Sequence, residues 1–117
     1  MGSPMTKPTL SDVHDAYQDL YNALTAAYWA ASTIQNKDQI HGVMDLVFDA
    51  LTDLNQDSIQ ANTPAFTSMQ EELKTANAQI ETVKADIAKL VASIKVATQV
   101  ASAIDKAISL AAKYFAL

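Results

Sequence analysis

From Thr63-Pro64 to Leu117 the chain contains no glycine and no further proline, and its apolar residues recur at alternating spacings of three and four. One row runs Phe66, Leu73, Ile80, Ile87, Ile94, Ala101, Ile108, Phe115. The other runs Met69, Ala76, Val83, Leu90, Ala97, Ile104, Ala111. Threonine is a favoured N-cap and proline a favoured first helical residue, so Thr63-Pro64 marks a helix start. A heptad kept over that distance predicts a single rod, roughly 75–80 Å long at 1.5 Å per residue. A seven-residue repeat further implies a left-handed supercoil with whatever helix covers it.

The first half follows the same spacing through Leu10, Val13, Tyr17, Leu20, Leu24, Ala27, Ala31 and Ile34, with Ser11 as an expected cap and Asp12 and Asp15 at the positive helix start. The phase then slips by one residue to Ile40, Met44, Val47, Leu51 and Leu54. Gln35-Asn36-Lys37-Asp38 lies between the two rows and Gly42 follows, so the helix either kinks or turns there. Asn55 to Asn62 reads as a polar connection. The expected fold class is all-α: a long antiparallel helical hairpin with coiled-coil heptads, in which residues 10–57 return along 64–116. The competing form is a three-helix arrangement with a real turn near 36–38.

Both forms predict self-association into a helical bundle, with a dimer as the simplest case. Beyond residue 90 the rod carries Val91, Val96, Val100, Ala103, Ala107, Leu110, Ala112, Tyr114 and Leu117 off its two rows, and the first arm adds Tyr21, Tyr28 and Trp29. One neighbouring helix cannot shield a stripe that wide, and large uncovered apolar patches mark interaction sites. The expected interface residues are therefore Tyr21, Tyr28, Trp29, Val91, Val100, Leu110 and Tyr114. Trp29 has two further readings: burial against a third helix of the same fold, or lipid contact.

Charge narrows the partners. The net charge is −5 and arginine is absent, which disfavours nucleic acid, whose affinity rests on neutralised phosphates. Residues 1–58 hold eight aspartates against Lys7 and Lys37, whereas 59–117 hold six lysines against five acids. That asymmetry favours pairing between the arms, though each exposed pair contributes little. There is no cysteine, so disulfides and thiolate metal sites are excluded.

Met1-Gly2-Ser3-Pro4 reads as a cloning remnant, residues 1–9 as a disordered N-terminus, and 10–117 as one helical domain. Neither a signal peptide nor a transmembrane helix is evident, so the compartment is left open between cytoplasm and export without a cleavable signal.

The histidines are His14 and His41. Asp38, His41 and Asp45 share a helix face and resemble half of a di-metal bundle motif, but no inward carboxylates on the rod complete it. They read as a solvated polar face, and no catalytic, cofactor-binding or metal-ligating residue is expected. With no phosphate loop and no nucleophile constellation, the expected function is non-enzymatic: an interaction or oligomerisation module packing with itself and with a protein partner. The alternative is a membrane-active or pore-forming protein using the apolar, lysine-dotted segment from Val91 to Leu117.

Overall fold

The structure, a computed structural model, describes residues 8–54, 59 and 63–117. Four helices pack together: α1 (Leu10–Ala30), α2 (Ile34–Leu54), α3 (Pro64–Leu90) and α4 (Ile94–Phe115). The chain is an all-α bundle in which α1 and α3 each pack against α2 and α4 and lie diagonal to one another. Neighbours run antiparallel. Tyr21 meets Phe48 and Tyr28 meets His41 between α1 and α2, while Lys84 meets Asp105 and Gln70 meets Phe115 between α3 and α4.

The long rod is therefore not continuous. It breaks at Val91-Ala92-Ser93, where Val91 and Ser93 take extended backbone conformations. The first arm also breaks, at Ala31-Ser32-Thr33, a few residues before the Gln35–Asp38 stretch where the phase slip placed a kink or turn. Both breaks have the same cause. The Thr33 hydroxyl accepts from the Asn36 amide at 3.0 Å and the Ser93 hydroxyl from the Val96 amide at 3.2 Å, so each starts a new helix. At the other starts, Thr63 caps as expected, with Pro64 in the first turn. Thr9, rather than Ser11, caps α1 in a reciprocal capping box with Asp12.

The two turns satisfy one another. Ala31 and Val91 form an isolated antiparallel bridge. The Ser32 amide donates to Leu90 O and the Ala92 amide to Ala30 O, both at 3.0 Å. These carbonyls, at the C-terminal ends of α1 and α3, lack intrahelical partners.

The exchange is symmetric, and so is the core. Positions at a constant separation of 60 are buried in pairs: Val13 with Leu73, Leu20 with Ile80, Ile40 with Val100, Met44 with Ile104, Leu51 with Ala111. The hairpins α1–α2 and α3–α4 are thus near-equivalent halves about an approximate twofold. Tyr17 and Asn77 are equivalent positions that meet across the diagonal, the phenol donating to Asn77 Oδ1 at 2.6 Å. No buried side-chain polar atom among the described residues lacks a partner.

The surplus flank of the second half is absorbed in part: Val91, Val100 and Ala107 are buried, Val96, Ala103, Leu110, Ala112 and Tyr114 are half-buried, and Leu117 is exposed. On α4 the buried stripe is Ala97, Val100, Ile104, Ala107, Ala111 and Phe115. Val100 and Ala107 thus take the places that the unbroken heptad assigned to Ala101 and Ile108. Ile94 is 84% exposed and Ile34 77% exposed, so neither belongs to the core rows in which their spacing placed them. Residues 1–7 lie outside the described residues. So does the connection Asn55 to Asn62, apart from Ile59, which is buried.

Candidate interaction face

The expected interface residues divide between inside and outside. Val91 and Val100 are 5% and 0% exposed and belong to the chain's own core, because the turn at 91–93 rotates them inward. Leu110 and Tyr114 are half-buried, with Tyr114 against Phe66 and Phe115 near the start of α3 and the end of α4. Tyr21, Tyr28 and Trp29 converge on the outer side of the first hairpin, and there the structure adds residues not foreseen.

On α1, Tyr21 and Tyr28 stand seven residues apart and both are half-buried. On α2, Ile34, His41 and Phe48 stand at the same spacing and are all exposed. Residues seven apart lie on nearly the same side of a helix, so each helix carries an outward row beside the shared groove. The rows touch: the Tyr21 and Phe48 centroids are 6.1 Å apart, and those of Tyr28 and His41 are 6.0 Å apart. Trp29 closes one end, 72% exposed, its ring edge-on to Tyr28 at 5.3 Å. The Lys37 ammonium sits 5.1 Å from both ring centroids, so these two rings already hold a cation.

Phe48 is 57% exposed and completes the stripe. Its position outside the row Ile40, Met44, Val47, Leu51 and Leu54 was the signal for it, since a large aromatic between core positions either widens the core or faces out. Asp38, Asp45 and Asp49, all exposed, occupy the solvent side of the same row. His41 Nδ1 lies 3.5 Å from Asp45 Oδ2. Among the described residues no group of three or more His, Cys, Asp or Glu is placed to hold a metal ion.

A second feature lies at the opposite end. A cavity of about 210 Å³ is lined by Asp53, Ile59, Ala65, Ser68, Met69 and Glu72. Partial burial, a hydrogen bond with Asp53, and the charges of Asp53 and Asp49 raise the Glu72 carboxyl from 4.5 to about 7. Glu72 is therefore partly protonated near neutral pH. Ser68 adds a hydroxyl to this lining, and none of the described lining residues is a cation.

Among the described residues no helix is long and apolar enough to cross a membrane. The apolar side of α4 that would have entered lipid faces the core instead. No protein-family model matches the chain, and no curated protein or solved structure matches it either.

Proposed function

We propose that this protein is a non-enzymatic helical interaction module, which engages a helix of a protein partner along the groove between α1 and α2. The observation that carries this reading is the outward aromatic stripe. Trp29 and Phe48 are 72% and 57% exposed on a face whose inner residues are already packed. Tryptophan and tyrosine dominate the energetics of interfaces because they bury a large area with few rotatable bonds. The row spacing of seven matches the periodicity of a helix laid alongside. The equivalent positions of the second hairpin are Glu81, Ala88, Lys89, Ile94, Ala101 and Ile108, so Ile34 has an exposed isoleucine as its counterpart but none of the rings has an aromatic one. The exposed rings are thus peculiar to one of two otherwise similar halves, which core packing does not call for.

Photo-crosslinkers placed singly at positions 29, 48, 78 and 85, in the cell of origin, test this reading. Ala78 and Ala85 are exposed on α3 and serve as controls. A discrete adduct with another protein at 29 and 48, missing at 78 and 85, is the expected result. Adducts at the α3 positions alone, or none at 29 and 48, would overturn it.

A further inference from the structure

The chemistry of the stripe's margin selects the partner. We infer that the occupant of the α1–α2 groove is a cationic amphipathic helix of another protein, its apolar row on the aromatics and its lysines or arginines along α2. This rests on the reading of the groove as a helix-docking face and adds the sign of the partner's charge.

Three observations support it. Asp38, Asp45 and Asp49 recur at spacings of seven and four, so they form one ridge on the exposed side of α2 beside His41 and Phe48. That ridge belongs to the acidic half of the chain, in which eight aspartates face two lysines. Finally, Tyr28 and Trp29 already receive an ammonium from Lys37, at 5.1 Å from each ring. A partner arginine or lysine that displaces the Lys37 ammonium at this end of the stripe meets rings oriented for a cation. From Ile34 to Phe48 the row spans about 21 Å of helix axis, the length of a four-turn partner segment. A second copy presenting this same face would set aspartate ridge against aspartate ridge, which disfavours a symmetric dimer here.

The test uses three synthetic helical peptides of four turns with the same leucine row. The flanking positions are all lysine in one, glutamine in the second and glutamate in the third. Trp29 is the single tryptophan, so its emission reports binding directly. The lysine peptide is expected to give a saturable blue shift and to bind at least tenfold more tightly than the glutamine peptide, with the glutamate peptide weaker still. The triple variant Asp38→Asn, Asp45→Asn, Asp49→Asn alters exposed side chains only, and is expected to lose at least tenfold for the lysine peptide alone. Phe48→Ala is expected to weaken the lysine and glutamine peptides alike, whereas Ile94→Ala leaves both unchanged.

Equal affinity for all three peptides overturns the charge assignment and leaves the groove as a docking face. Binding indifferent to Phe48→Ala removes the groove itself. Absence of any spectral shift overturns the inference outright. So does a solution mass that rises with concentration and returns to one chain in the aspartate triple variant, because the occupant would then be a second copy.

Discussion

Tyr17 and Asn77 occupy equivalent positions in the two hairpins and close a buried hydrogen bond of 2.6 Å across the bundle diagonal. Burial raises the Tyr17 phenol above its ordinary range, and the Asn77 bond offsets only part of that, so it stays a donor. Tyr17→Phe strands the Asn77 carbonyl and should cost about 1–3 kcal/mol, with Asn77→Leu similar. The double variant should cost less than the sum. Urea unfolding of the four proteins measures the coupling, and strict additivity would show that the bond contributes nothing.

Ile87 and Ile94 sit seven residues apart on what the spacing presents as a single seam, yet the first is 4% exposed and the second 84%. Ile87→Asp buries a charge without a partner and should cost at least about 3 kcal/mol. Ile94→Asp should fall within about 0.5 kcal/mol of the parent. Thermal melts followed by circular dichroism distinguish the break at 91–93 from an unbroken rod, for which both changes would be severe.

The Glu72 carboxyl gives stability a pH dependence of definite sign. Its folded pKa, about 7, lies above the ordinary carboxyl value of 4.5, so the folded state binds the extra proton between those values. The protonated group favours the fold fully below 4.5, and this contribution is lost as pH rises through 7. Glu72→Gln should therefore raise the melting temperature at pH 8 and leave it nearly unchanged at pH 4.5. A variant that is less stable at pH 8 would reverse the sign assigned here.

Gly42 lies inside α2, and a Cβ placed on it meets nothing within 4 Å. Gly42→Ala should stabilise the protein by about 0.5–1 kcal/mol through the lost freedom of the unfolded chain. Chemical denaturation measures this directly, and a loss of stability would mean that the α2 backbone is not helical at this position.

Fold class was legible because the spacing of three and four is a property of each helix separately. Tyr17, Leu20, Ile40, Val47, Ile80 and Ile104 are buried where their rows placed them. The breaks were illegible for the same reason. Thr33 and Ser93 are short polar residues within otherwise helical text, and only a neighbouring turn makes stopping there favourable. Leu90 O receives the Ser32 amide and Ala30 O the Ala92 amide, contacts between residues far apart in sequence. Beyond Leu90 the row Ala97, Ile104 and Ala111 keeps its phase and is buried, and only its companion row moves. After Ser93 the companion row shifts by one residue, from Ala101 and Ile108 to Val100 and Ala107. On the candidate face, Tyr21, Tyr28 and Trp29 were visible as aromatics outside the seam. The contacts of Phe48 with Tyr21 and of Lys37 with Tyr28 and Trp29 required knowing that α2 returns beside α1.

The reciprocal bond between the two turns means that neither hairpin can complete its own bend. Each helix end finds its missing donor on the opposite half, so a chain that opened one hairpin would strip the other of its closure. Melting should then proceed as one all-or-none event across the molecule. The amides of Ser32 and Ala92, although they lie in bends, should exchange with deuterium as slowly as those in the middle of the helices.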